Sequence, residues 1–197
     1  MKLGVVSDIH CNIAGLREAL EVMGPIDALL CLGDAIDRMR FSNEVVGLLR
    51  RIGAHVILGN HEEKYFSDEG PPDRSAADPD LLAWLGAQPL RRRLTFGSRT
   101  VSMVHSTPWE PRGDYIFPHN EKLEQFADAG ADFVLYGHTH AHVVRRIGNT
   151  TIVNPGSAGD GRDSSTGRHL SCAMLDTETG DAQVLHYMDP RFPRSRS

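Results

Sequence analysis

The 197-residue sequence holds only three cysteines, Cys11, Cys31 and Cys172. They are odd in number and widely spaced, which excludes a disulfide framework as the basis of the fold. No apolar run approaches the roughly 20 residues that a membrane-spanning helix needs. The opening "MKLGVVSDIH" carries one lysine and an apolar stretch too short for the core of a secretory signal. The body of the chain has no basic block, and the formal net charge is −5. Proteins that track long nucleic acid neutralise many phosphates with Lys and Arg, so that class is not expected. There is no internal repeat and no low-complexity tract. What remains is 40% hydrophobic and 24% charged, ordinary values for one globular domain with a substantial core. The reading is a cytoplasmic domain over residues 1–189, followed by a loose, basic tail over 190–197.

Short apolar runs recur: "KLGVV", "DALLCL", "AHVIL", "RTVSMV", "DFVLY" and "TTIVN". Each has the length of a strand and stops at a turn or polar residue. Helical patterns lie between several of them. "NIAGLREALEVM" puts Ile13, Leu16, Ala19, Leu20 and Met23 on one face behind Asn12 as N-cap. "SNEVVGLLRRI" opens on Ser42, "DPDLLAWLGA" on Asp78 with Pro79 first in the helix, and "NEKLEQFADAG" closes on Gly130. Strand and helix alternate through the first half, which predicts parallel β-α-β units. The second half is strand-rich and includes a hairpin around Thr179-Gly180. Residues 66–80 are polar and Gly/Pro-rich, an expected exposed loop.

The residues that follow the strands carry the chemistry. After "LGVVS" come Asp8 and His10; after "LLCLG", Asp34; after "VILG", Asn60 and His61; after "VSMV", His105; after "FVLYG", His138 and His140. In open α/β sheets, ligands bind beyond the carboxyl ends of the strands. Five strand ends therefore deliver Asp, Asn and His to one rim. Gly33, Gly59 and Gly137 precede three of these groups and are expected to permit sharp turns.

Each piece alone is weak, but the ordered series D-x-H, G-D, G-N-H-E, a lone H and G-H-x-H resembles the calcineurin-like metallophosphoesterase superfamily. The match runs from residue 8 to 140. "NPGSAGDGRD" and "HSTPWEPRGDYIF" further resemble segments of its small bacterial phosphodiesterase-like branch, with Ser106 where Gly is usual. The resemblance implies an α/β fold, a four-layer sandwich of two mixed β-sheets flanked by helices. It also implies two divalent metal ions at the rim. Asp8, His10 and His140 would hold one ion, Asn60, His105 and His138 the other, and Asp34 would bridge them. His61 would be the acid that attends the ester. The implied reaction is in-line attack on phosphorus by a metal-bridged hydroxide.

Elementary chemistry agrees with that donor set. A bridging carboxylate suits two divalent ions about 3.5–4 Å apart. Mixed imidazole and carboxylate ligation suits Mn, Fe, Zn or Co better than Ca or Mg. Two carboxylates offset only half the charge of two such ions, leaving positive charge for a phosphoryl group.

Other residues are weaker candidates. "GDAIDRM" resembles the phosphate-contacting G-D-x-x-D-R-G of phosphoprotein phosphatases, which makes Arg38 a candidate substrate contact. Met39, however, replaces the glycine, Leu58 stands where those enzymes carry arginine, and an ion pair of Arg38 with Asp37 is the competing reading. Trp109, Tyr115 and Phe117 follow His105 and could stack on a planar leaving group. Glu62 is expected to be a helix-start carboxylate, and Cys11 a small buried side chain. His142 is assigned to the next strand, and Arg162 and Asp163 to ordering a loop near the site. The expected partner is a small phosphoester, nucleotide-like if the aromatic loop reads a base, with neither long nucleic acid nor membrane. The alternatives are a phosphoprotein or dinucleoside-polyphosphate phosphatase, a nuclease, and a non-catalytic scaffold such as the retromer member of the superfamily. The natural substrate, metal identity and oligomeric state are not written in the sequence.

Overall fold

A computed structural model describes residues 1–164 and 167–192. Its first sheet contains β1 (Lys2–Val6), β2 (Ala28–Cys31), β3 (His55–Val56), β9 (Arg162–Ser164), β10 (Gly167–Asp176) and β11 (Ala182–Met188). The order is β11-β10-β1-β2-β3, with β9 paired to β10. β1, β2 and β3 run parallel, while β10 is antiparallel to β1 and β11. The second sheet contains β4 (Arg91–Phe96), β5 (Arg99–Val104), β6 (Phe133–Leu135), β7 (Val143–Ile147) and β8 (Thr150–Asn154). Its order is β4-β5-β6-β8-β7, with β5, β6 and β8 parallel.

Side-chain alternation sorts the layers. Leu3 and Val5 of β1 meet Val101, Met103, Phe133 and Leu135 in a core between the two sheets. Val6, Cys31 and Val56 face the opposite way, against Leu16 and Ala19 of α1 (Ile13–Met23), Val45 and Leu49 of α2 (Asn43–Arg51) and Leu85 of α4 (Pro79–Gly86). On the far side of the second sheet, Val134, Tyr136 and Ile152 pack on Leu123 and Phe126. The result is the four-layer sandwich of two mixed sheets.

The helix caps fall as the sequence reading places them. Asn12, Ser42 and Asp78 side chains accept from Gly15, Val45 and Leu81 backbone N–H groups, and Gly130 ends its element in the left-handed conformation. That last element, Glu121–Ala129, is a 3₁₀ helix. Its buried residues Leu123 and Phe126 are three apart, the 3₁₀ repeat. Strand β4 was not expected from "RRRLTF"; its alternately exposed arginines suit the edge of a sheet. Of the tail expected from residue 190, Arg191 is tied to Asp189 and to the Gly159 carbonyl. Residues 193–197 lie outside the described residues.

Candidate metal centre

The parallel strands of both sheets end at one rim. Loops after β1 and β2 are laced together by Asp8, His10 and Cys11 N–H groups that donate to the Gly33, Asp34 and Ala35 carbonyls. The third loop runs into α3 (Asn60–Phe66), whose first turn points its backbone donors at the site. Asp34 Oδ1 accepts from His61 N–H at 2.8 Å. From the second sheet, Asp8 Oδ2 accepts from His138 N–H at 3.1 Å. Beneath them, Asn154 donates to the Gly137 carbonyl and to Thr139, and Ser157 donates to the Asp8 carbonyl. The N-P-G-S segment is thus the buttress of the rim.

The rim has unusual backbone. Asp8, His10, Cys11, Asp34, His138 and His140 all have φ between 46° and 66°, the left-handed region that costs an L-residue about 1–2 kcal/mol. Of the three glycines expected to permit turns, Gly33 alone has positive φ, 94°. Gly59 and Gly137 serve by leaving space, since a Cβ on them would overlap Asp34 Oδ1 and Ser7 Oγ, respectively.

The donor atoms converge. Those of Asp8, His10 and His140 lie within 4.8 Å of one another, as do those of Asp8, Asp34 and His105 and those of His10, Asp34 and His61. His10 Nε2 and His140 Nε2 are 3.2 Å apart, and His140 Nε2 is 3.3 Å from Asp8 Oδ1. On the other flank, Asn60 Oδ1 and Asp34 Oδ2 lie 3.0 and 3.3 Å from His105 Nε2. His138 belongs to none of the three groups; its ring packs beside His105, with centroids 5.1 Å apart.

These residues suit a divalent cation. Among the described residues, Asp8 Oδ1 is buried and has no hydrogen-bond partner, a costly state for a carboxylate unless a cation meets it. Burial alone would lower the pKa of His105, but the charge of Asp34 and the hydrogen bond to it outweigh that and push it up to about 10. Burial opposes ionisation of Asp34 too, and the charge of His105 more than reverses this, holding its carboxyl well below the usual range. A place that holds positive charge so firmly also favours a metal ion.

Two further carboxylates stand behind the histidines. Asp37 Oδ1 is 3.4 Å from His10 Nδ1, and Asp160 Oδ2 is 3.4 Å from His140 Nδ1. Arg40 holds the first carboxylate at 3.0 Å and Arg168 the second at 2.7 Å. Carboxylates in this position orient metal-binding imidazoles. Sequence reasoning missed Asp160 in this place and assigned Asp37 to the wrong arginine.

A model of the calcineurin-like phosphoesterase superfamily domain matches residues 1–180. The chain belongs to the calcineurin-like phosphoesterase superfamily. A phosphodiesterase of Methanocaldococcus jannaschii is 23% identical over 164 residues, covering 79% of this chain and 83% of that protein. The crystal structure of a metallophosphoesterase from Sphaerobacter thermophilus superposes with a TM-score of 0.76 at 22% identity, covering 96% of this chain and 89% of the other. A putative diadenosine tetraphosphatase superposes with a TM-score of 0.61 at 21% identity, over 94% and 93% of the two chains. These structural likenesses show the fold.

Within this phosphoesterase domain, the pocket at the rim has a volume of about 570 Å³. Tyr115 lines it and lies against the His138 ring, with centroids 3.9 Å apart. Trp109 does not line it. The indole packs edge-on against Phe126 on the far side of the second sheet, 5.1 Å between centroids, because its large apolar surface is better buried there. Arg38 is a second correction. It is exposed and lies outside the pocket, and its link to the site is a backbone N–H that donates to His61 Nδ1 at 3.2 Å. The arginine paired with Asp37 is Arg40. Arg112 pairs with Glu63 instead of facing the pocket. Cys11 is half-buried; burial raises its thiol pKa, and Sγ donates to the Arg40 carbonyl.

The aromatic loop yields a prediction. Trp109→Ala should destabilise the fold by on the order of 2 kcal/mol while leaving KM for nucleotide and aryl esters alike. Tyr115→Ala should raise KM for the nucleotide ester and spare the aryl one. Chemical denaturation and parallel kinetics check this; a nucleotide-specific defect in the Trp109 variant would reverse the assignment.

Proposed function

We propose that this domain is a cytoplasmic, dinuclear metal-dependent phosphoesterase that hydrolyses small phosphodiesters or phosphomonoesters, nucleotide-like esters among them. The observation that carries the reading is the convergence of buried Asp and His donors on one rim, with Asp8 Oδ1 left for a cation. Asp8, His10 and His140 would hold one ion and Asn60, His105 and His138 the other, with Asp34 between them. Mn, Fe, Zn and Co fit these ligands. Bound, the ions would activate a water at neutral pH and neutralise charge on the phosphoryl oxygens.

The chain's own groups do the rest. Arg38 N–H donates to His61 Nδ1, which puts the neutral ring's proton on Nε2. That atom lies 4.0 Å from Asp34 Oδ2, so His61 presents a donor to a leaving oxygen at the rim. Asp37 and Asp160 orient His10 and His140. Tyr115 offers a planar leaving group an exposed ring beside His138.

A dinucleoside-polyphosphate phosphatase is the second reading, favoured by the exposed Tyr115 and Phe117 rings, nearly parallel at 20°. The phosphoprotein phosphatase reading loses support because Arg38 is outside the pocket. Long nucleic acid fits poorly, since Arg40, Arg168 and Arg191 in the pocket are each paired with a carboxylate.

The test is metal content together with turnover of p-nitrophenyl phosphate and its diester analogue. The loaded protein should hold close to two metal equivalents and hydrolyse at least one ester. Asp34→Asn should lower occupancy of both sites, because one carboxylate serves both ions. Full metal content in that variant would sink the bridging role, and a loaded protein without turnover would favour the scaffold.

A further inference from the structure

Beside the rim lies a second pocket of about 470 Å³, lined by Phe117, His119, His142, Arg145 and Arg162 among others, with no acidic side chain among the described residues of its lining. Phe117 also lines the rim pocket, so the two are neighbours across one ring. The backbone joins them as well: His140 lines the first and His142 the second, and two residues span at most about 7 Å.

The arginines of the two pockets differ in their partners. Arg40, Arg168 and Arg191 at the rim are each bound to a carboxylate. Arg145, on the edge strand β7, and Arg162, at the start of β9, have no ion-pair partner among the described residues. His142 adds its ring to the group, edge-on to His186 at 4.6 Å. Two guanidiniums without a carboxylate partner next to a phosphoester site attract a second anion, and guanidinium binds phosphate through charge-assisted hydrogen bonds.

We propose that the pocket beyond Phe117 binds a second phosphate group of the substrate through Arg145 and Arg162. The substrate class is then a phosphoester with another phosphate a few atoms from the scissile one, such as a nucleoside bisphosphate or polyphosphate. This rests on the phosphoesterase reading above.

The experiment uses the metal-loaded protein and an R145Q/R162Q double variant, both substitutions lying on exposed positions. Hydrolysis of p-nitrophenyl phosphate is inhibited with inorganic phosphate, AMP or adenosine 3′,5′-bisphosphate, metal in excess. The wild type should prefer the bisphosphate over AMP. The double variant should lose roughly tenfold or more in affinity for the bisphosphate, with phosphate inhibition and reporter KM unchanged. Equal bisphosphate inhibition in both proteins would overturn the proposal. Calorimetry with the same bisphosphate separates the two readings. If the wild type hydrolyses no ester, the enzyme reading fails, and a weaker isotherm in the double variant still supports the subsite.

Discussion

His61→Ala should lower turnover of an alkyl phosphoester by roughly 10²–10⁴-fold, the range for loss of a positioned acid, while metal content stays at the wild-type level. The expectation follows from the ring's setting. Nδ1 is engaged by the Arg38 N–H, and Nε2 faces Asp34 Oδ2 across 4.0 Å. Burial lowers the pKa of the ring against the raising effect of Asp34, and the hydrogen bond at Nδ1 leaves Nε2 to face the leaving oxygen. The defect should shrink for p-nitrophenyl esters, whose leaving group needs little help. Rates on both ester types, with elemental analysis of the variant, test this. Equal losses on both would make His61 a phosphate-positioning group. Because its donor atom also groups with those of His10 and Asp34, loss of a metal would make it a ligand.

Glu62→Ala should be the most damaging change outside the proposed ligands. The side chain is fully buried, and its two oxygens accept from the N–H groups of Asp34 at 2.8 Å, Ile36 at 3.0 Å and Gly59 at 2.7 Å. Burial and the charge of Asp34 push its pKa up to about 7 against the pull of these bonds. Truncation strands three buried donors, at about 1–3 kcal/mol each. We expect at least about 3 kcal/mol of lost stability, or a Tm lower by roughly 6–12 °C for a chain of this size. Glu62→Gln should fall between, since one oxygen remains while the new NH₂ opposes a donor. Metal-free and metal-loaded melts provide the measurement; an alanine variant within 2 °C of wild type would show that the loop satisfies those donors otherwise. Glu62 is thus the brace between the second and third loops, a larger part than a helix-start carboxylate.

The rim was legible in the sequence because it is written at strand ends, where an apolar run stops and one polar residue follows. Asp8, Asp34, Asn60, His105 and His140 could be placed that way. Contacts between distant segments could not. Nothing local says that Asp160 lies behind His140 or that Arg168 and Arg191 reach the pocket. Arg38 and Arg40 differ by two positions in a tight turn, and the Asp37–Arg40 bridge decides which one faces Asp37. Trp109 and Tyr115 share one loop, and only the fold shows that the first turns to the core and the second to the site. β4 was hidden by its arginines, because an edge strand lacks the apolar alternation of an inner one.

The left-handed backbone at the rim is held at a cost. Aspartate and histidine tolerate that conformation better than most residues, yet glycine would hold it with no penalty. Glycine would relieve the backbone cost at Asp8, His10, Asp34, His138 and His140, but at Asp8 and Asp34 it would also strand the His138 and His61 N–H groups that the carboxylates accept from. This chain keeps a polar side chain at every one of them. The rim is thus a reservoir of backbone strain, held in place by the hydrogen bonds and side chains that converge on it.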